Sequence, residues 1–193
     1  MNIKELSDFI PKDKCDDLVD FLSRKMVFKK QQSMKAMSIT VSDDTHETIA
    51  CIRQKISELL DVPLRNLEYL LISRYVEGGE HPHHYDTFFI EPNTIYTKDF
   101  YEANMKEGGQ RMQTCVIYLN DDFKGGHTFF GRIYNSIQPE KGKLAYWANA
   151  NEYGDTYVWS EHMGMKVESG TKWIAVCYVR EKEYTGSSLT ICD

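Results

Sequence analysis

The hydrophobic period of this chain changes at Pro63, and that change restricts the fold more than any other feature. Before Pro63, apolar residues recur at helical spacing. In "KDKCDDLVDFLSRKM", which follows Pro11, Cys15, Leu18, Val19, Phe21 and Leu22 form one stripe. In "SDDTHETIACIRQKISELL" the stripe is Ile49, Ile52, Ile56, Leu59 and Leu60, with Asp43 and Asp44 as acidic capping candidates and Pro63 beyond the end. A short strand near Ile39 fits between the two helices. After Pro63 the period is two. "LEYLLISRYVEGG", "RMQTCVIYLND", "GHTFFGRI", "GKLAYWAN", "TYVWSEHMGMKV" and "TKWIAVCYVRE" read as strands, rich in β-branched and aromatic residues and divided by Gly, Asn and Asp. Helices first and many short strands later predict an α+β chain, a β-sandwich or barrel with helices packed outside. Neither a repeat nor a linker interrupts the pattern, so one domain over residues 1–193 is expected, with 1–63 as helical support and 64–185 as the β core.

Residues 89–109 ("FIEPNTIYTKDFYEANMKEGG") fit neither period. Structureless loops of that length inside a domain are uncommon and often functional, a lid over a site being one example. The formal net charge of -6 disfavours nonspecific nucleic-acid binding, which needs a basic surface to displace counterions, and no nucleic-acid partner is expected. The five cysteines are odd in number and lack CxxC spacing, which suits a reducing compartment. Lys4, Glu5 and Asp8 interrupt any apolar opening run, so no signal peptide is read and a cytoplasmic location is expected. With no stretch of 18 apolar residues, no membrane helix is expected.

The stretch "HPHHYDTF" holds half of the six histidines. If residues 82–89 form a strand, His84 and Asp86 share a face and His83 and Tyr85 take the other. Two such side chains can share a metal ion. A third ligand must then come from elsewhere, with His46, His127 and His162 as candidates. Two histidines and one carboxylate make the facial arrangement of non-haem Fe(II) oxygenases. The same donors with a water also serve zinc hydrolysis, so the metal stays open on this ground alone. Lys172 adds a second constraint. A lysine in the apolar run "TKWIAV" is costly to bury without an anionic partner, which a dicarboxylate ligand would supply. A strand-edge lysine facing solvent is the plainer alternative.

Taken in order, "RYVEGGEHPHHYD", "RMQTCVIYLNDDFKGGHTFF", "PEKGKLAYWAN" and "GDTYVWSEHMGMKVESGTKWIA" resemble the catalytic domain of the prolyl 4-hydroxylase family of Fe(II)/2-oxoglutarate dioxygenases. The resemblance runs from about Leu67 to Glu183, and the first sixty residues carry no part of it. It implies a double-stranded β-helix (jelly-roll) core with the N-terminal helices packed outside. It further implies His84, Asp86 and His162 as iron ligands, and Lys172, Tyr75 and Thr128 around the distal carboxylate of 2-oxoglutarate. Arg111 matches a position near the peptide substrate. The implied cofactors are Fe(II), with 2-oxoglutarate and O₂ as co-substrates and ascorbate as reductant. The implied partner is a peptide or protein containing proline, and the implied reaction is hydroxylation of a prolyl C–H bond with release of succinate and CO₂.

The chain also departs from that family. His81 stands where the family usually has a tyrosine three residues before the first iron-binding histidine. Tyr178 stands where a tryptophan often lies six residues after the lysine. His81 and Tyr178 are therefore substrate-side candidates along with Arg111, and the same chemistry on another side chain, a free amino acid or a nucleobase is the main alternative. A silent jelly-roll binding module would have no chemical need for His84, Asp86, His162 and Lys172 together. A zinc hydrolase would leave Lys172, Tyr75 and Thr128 without a shared purpose. Glu161, next to His162, faces the other way on a strand and is a poor fourth ligand.

Overall fold

A computed structural model describes residues 3–25, 35–90 and 97–187. In chain order its elements are β1 (Lys4–Leu6), α1 (Lys12–Lys25), β2 (Ala36–Val41), α2 (Glu47–Leu60), β3 (Leu70–Val76), β4 (His81–His84), α3 (Lys98–Lys106), β5 (Arg111–Tyr118), β6 (Lys124–Gly125), β7 (Thr128–Phe130), β8 (Asn135–Ile137), β9 (Leu144–Ala148), β10 (His162–Gly164), β11 (Val167–Ser169) and β12 (Thr171–Arg180). Short 3-10 turns at Asp43–Thr45, Leu64–Asn66 and Val158–Ser160 connect them.

Six strands form the major sheet in the order β1-β9-β5-β12-β3-β2, and four form the minor sheet in the order β4-β10-β7-β8. Every pairing is antiparallel. The long strand β12 lies between β3 and β5 and is buried on both faces. Its alternation builds the two cores. Trp173, Ala175, Cys177 and Val179 face the helices, where they join Leu18, Leu22, Ile49, Ile52 and Ile56. Ile174, Val176 and Tyr178 face the minor sheet, clustering with its Phe130 and Ile137 and with Trp147 of β9. Lys172 is in phase with this second set, so strand periodicity alone sends an ammonium group between the sheets.

The helices form where the 3.6-residue stripe is apolar. Cys15, Leu18 and Leu22 of α1 are fully buried, as are Ile49, Ile52 and Ile56 of α2. At roughly 1.5–3 kcal/mol for each large buried aliphatic side chain, this packing outweighs intrinsic helix propensity. The cap of α2 differs from expectation. His46 is the N-cap, its ring accepting from the Thr48 N–H at 3.2 Å, while Asp43 is drawn into an ion pair with Arg53. The buried Arg53 guanidinium also holds the carbonyls of Leu64 and Leu67, so the carboxylate serves a charge that must be paired rather than a helix end.

Asp61 ends α2 in the left-handed region, with φ 52°. A Cβ is strained there and glycine is not. Asp61→Gly is therefore expected to stabilise the fold by about 0.5–1 kcal/mol, a rise of about 2–4 °C in Tm that a thermal melt would read. A lower Tm would show that the aspartate side chain matters more than the backbone conformation.

Three other expectations change. Residues 1–63 are not purely helical support, because β1 pairs with β9 and β2 with β3, giving the major sheet both of its edge strands. "TYVWSEHMGMKV" is not one strand: it breaks into a 3-10 turn, β10 and the start of β11. Residues 89–109 are not structureless. They contain α3, whose N-cap Thr97 accepts from the Phe100 N–H at 3.2 Å. No residue of α3 is buried, so no apolar stripe announced it. It is tied down through backbone instead: Arg180 donates to the Asn104 carbonyl, and Thr185 N–H to the Glu107 carbonyl. Residues 91–96 of that stretch, and Cys192, lie outside the described residues. No helix among the described residues is long and apolar enough to cross a membrane.

Candidate metal centre

β4 and β10 pair antiparallel with His84 directly opposite His162, and this register brings together two histidines that lie far apart in the chain. Asp86 arrives differently. β4 ends at His84, so Asp86 stands on a bend beyond the strand, and the alternation assumed for residues 82–89 does not orient it. It is placed by local hydrogen bonds. Gln110 clamps the backbone of Phe88, accepting its N–H at 2.7 Å and donating to its carbonyl at 2.9 Å. Thr87 bonds to Thr156 at 2.8 Å. The Thr114 hydroxyl donates to Asp86 Oδ2 at 2.6 Å.

Potential ligand atoms of His84, Asp86 and His162 all lie within 4.8 Å of one another, the only such group of His, Cys, Asp or Glu among the described residues. Asp86 Oδ1 is 3.5 Å from His84 Nε2, and Oδ2 is 3.5 Å from His162 Nε2. The other ring nitrogens face carbonyl oxygens: His84 Nδ1 is 2.7 Å from Pro82 O, and His162 Nδ1 is 2.9 Å from Ser160 O. A carbonyl can only accept, so Nδ1 carries the proton in each neutral ring and Nε2 presents its lone pair to the centre. Burial alone would raise the Asp86 carboxyl, but the imidazoles of His162 and His84 and the Thr114 hydroxyl outweigh it and hold the group well below the usual carboxylate range. Burial pushes the His162 imidazole down, which favours the neutral form that a metal ligand needs. Two neutral nitrogens and one carboxylate oxygen fit a divalent transition ion, Fe(II) among them.

Around this group lies a pocket with about 550 Å³ of space, open to solvent on one side. Lys172, Tyr75 and Thr128 line it together with the three metal-site residues, and so do His81 and Tyr178. Lys172 is 2% exposed. Its ammonium donates to the Gly126 carbonyl at 2.6 Å and lies over the rings of Tyr75 and Tyr118, 5.2 and 5.6 Å from their centroids. Among the described residues no carboxylate pairs with it. Burial pushes its pKa down from 10.5 to about 8. The pocket thus ends in a buried cation to which no described residue supplies a counter-charge.

Arg111 does not line this pocket. It stacks on the Tyr178 ring at 3.6 Å and grips Glu68 in a bidentate pair, at 2.7 and 2.9 Å. Arg180 shares the same carboxylate at 2.7 Å. The stack makes Arg111 a support for a pocket wall. His81, itself exposed, stacks on His84 with ring centroids 3.9 Å apart. His83 is exposed, and Glu161 pairs with Arg132 at 2.6 Å, so neither joins the metal group. His46 serves as a helix cap, and His127 is outside the group as well.

Several site residues were not singled out from the sequence. Tyr118 is fully buried, and its hydroxyl is 2.7 Å from that of Thr128. Thr114 and Asn149 stand behind Asp86. Trp147 meets the His162 ring edge-on at 4.9 Å. In "RMQTCVIYLN", Thr114 and Tyr118 share strand parity with Val116, so a polar pair on a buried face was a signal that could have been read.

The model of the 2OG-Fe(II) oxygenase superfamily matches residues 70–180, from the first residue of β3 to the last of β12. The chain belongs to that superfamily. It is 28% identical over 203 residues to prolyl 4-hydroxylase 1 of Arabidopsis thaliana, covering 92% of this chain and 68% of the relative. Among solved structures, it resembles the viral collagen prolyl hydroxylase of Paramecium bursaria Chlorella virus-1 in complex with 2OG, with TM-score 0.74 and 24% identity, covering 93% of this chain and 96% of the other. It also resembles a Trichoplax adhaerens prolyl hydroxylase bound to a peptide fragment of the hypoxia inducible factor oxygen degradation domain, with TM-score 0.65, 13% identity and coverage of 93% and 83%. At these identities the two structures bear on the fold. They agree with the jelly-roll of two facing sheets seen in this superfamily member.

Proposed function

We propose that this chain hydroxylates a prolyl residue of a peptide or protein, using Fe(II) held by His84, Asp86 and His162 and 2-oxoglutarate held at its far end by Lys172. The observation that carries the reading is the unpaired Lys172 ammonium in the same pocket as the two histidines and the aspartate. A ligand that satisfies both ends needs an anionic group for the cation and oxygen donors for the metal, and 2-oxoglutarate has both. The chemistry such a centre supplies is coupled oxidation: one atom of O₂ enters the co-substrate, giving succinate and CO₂, and the other enters a C–H bond as a hydroxyl group.

The protein's own part is positional. Lys172 neutralises the distal carboxylate, the hydroxyls of Tyr75 and Thr128 line the pocket with it, and Tyr118 bonds to Thr128 from behind. The apolar wall of Val116, Trp147, Ile174 and Val176 excludes water and fixes the co-substrate's direction. The carbonyls of Pro82 and Ser160 keep both imidazoles in the metal-binding tautomer. His81, stacked on His84 at the pocket, and Tyr178, backed by Arg111, are the side chains placed to meet a substrate near the metal. Support for proline as target comes from the relatives, whose names specify prolyl hydroxylation.

The test is succinate release from 2-oxoglutarate with Fe(II) and ascorbate, with and without proline-containing peptides, followed by mass spectrometry of the peptides. The expected result is peptide-stimulated turnover and an added oxygen on proline. Turnover that no prolyl peptide stimulates would remove proline as the target and leave the oxygenase chemistry standing.

A further inference from the structure

Asp86 lies beyond the end of β4, so no strand ladder fixes its side chain. Its carboxylate is instead the end of a buried chain of hydrogen bonds. Asn149 Nδ2 donates to Thr114 Oγ1 at 2.7 Å, and Thr114 Oγ1 donates to Asp86 Oδ2 at 2.6 Å. The order follows from chemistry: an amide NH₂ can only donate, so the single hydroxyl proton of Thr114 goes to the carboxylate. Asp86, Thr114 and Asn149 are 5%, 1% and 0% exposed. In that setting a charge-assisted bond is strong and a lost one is costly.

Asn149 is itself pinned at both ends of its backbone. Its N–H donates to Met112 O and its carbonyl accepts from the Tyr157 N–H, each at 2.8 Å. Ser160 Oγ donates to the carbonyl of that same Tyr157 at 2.8 Å, and Ser160 O faces His162 Nδ1 at 2.9 Å. One buried frame therefore reaches two of the three metal-site side chains. The carboxylate leads to it through Thr114, and His162 through Ser160.

We infer that Thr114 and Asn149 are positioning residues that hold the Asp86 carboxylate ready for the metal, so that metal affinity depends on a hydroxyl that touches no metal. The inference rests on His84, Asp86 and His162 being the metal site. Its scale is that of other outer partners of metal ligands, whose loss lowers affinity about 10–100-fold.

The experiment titrates the metal-free full chain with Mn(II), following free Mn(II) by electron paramagnetic resonance, and with Co(II), following its visible spectrum. Thr114→Val keeps the shape and removes the donor. It is expected to raise the Mn(II) Kd about 10–100-fold and change the Co(II) spectrum, while Thr114→Ser, which keeps the hydroxyl, restores binding to within about threefold. Thermal melts of the metal-free proteins show that each variant is folded, and a merely structural role would move those melts without moving Kd. A folded Thr114→Val protein that binds Mn(II) as tightly as wild type overturns the inference. If that variant does not fold, Thr114→Ala and Asn149→Ala take its place, and wild-type Kd values in both overturn it. Failure of the wild-type chain to bind Mn(II) or Co(II) overturns the metal site itself, which separates that failure from this one.

Discussion

Asp86→Ala protein should bind no Fe(II) at concentrations that saturate the wild type, and its 2-oxoglutarate turnover should fall at least about a thousandfold, equivalent to about 4 kcal/mol. Asp86 is the only anion in the metal group. Without it, a dication would meet two neutral imidazoles, whose rings already lie 4.3 Å apart, and the site would lose its Coulomb attraction along with one ligand. Among the described residues nothing nearby replaces it: Glu161 is engaged with Arg132, and Glu68 with Arg111 and Arg180. Asp86→Asn is the sharper variant, because it keeps the volume and an acceptor oxygen but removes the charge. A metal titration alongside succinate quantification checks both variants. Metal affinity within tenfold of wild type in Asp86→Ala would remove the carboxylate from the centre, and with it the reading of the pocket as an iron site.

Lys172→Met should separate stability from function. In the metal-free protein the ammonium is buried against a carbonyl and two aromatic rings, with no carboxylate beside it among the described residues, and burial lowers its pKa from 10.5 to about 8. The folded state therefore gives up this proton before the unfolded chain does. The cost of the buried charge is fully present below pH 8 and is relieved as pH rises from about 8 to 10.5, where the unfolded chain holds more protons. Removing the ammonium should stabilise the co-substrate-free protein at pH 7 by on the order of 3 kcal/mol, and should abolish the rise in stability across that window. Function moves the other way. Loss of the cation leaves the distal carboxylate of 2-oxoglutarate unpaired in a buried site, a loss of roughly 3 kcal/mol or more, or over a hundredfold in Kd. In the wild type, affinity should be level below pH 8 and fall about tenfold for each further pH unit, because only the protonated amine pairs with the dianion. Denaturant melts and calorimetric titration with 2-oxoglutarate across pH 7–10 check all four statements. A Lys172→Met protein that is no more stable, yet binds 2-oxoglutarate as tightly as wild type, would show that the lysine is an ordinary structural residue.

Much of the core was legible because periodicity maps directly onto burial. The alternation in "TKWIAVCYVR" puts Lys172 on one face with Ile174, Val176 and Tyr178 and Trp173 on the other, and the fold buries both faces. The stripe Cys15, Leu18 and Leu22 is buried as its spacing predicts. The misreadings fall where local pattern is weak. α3 buries no side chain, so its apolar content carries no period, and its anchors are backbone carbonyls that no residue type reveals. Asp43 looked like a cap because a helix N-terminus favours acids, but the buried Arg53 claims it through a stronger charge pairing.

His84, Asp86 and Lys172 carry their chemistry in their identities, and the sequence alone singled them out together with His162, first as one of three candidate partners and then through a resemblance. What the sequence by itself determined was therefore the kinds of groups available and the faces of the strands that would carry them. Tertiary structure decided which distant groups meet. The β4–β10 register sets His162 opposite His84, the Gln110 clamp and the Thr114–Asn149 chain hold Asp86 on a bend, and the Lys172 cation packs against the rings of Tyr75 and Tyr118 with no carboxylate beside it among the described residues. The physical reason is range. Side-chain alternation follows from the backbone of one strand, whereas ladder register, hydrogen-bond frames and unbalanced charge exist only between segments that the fold has brought together.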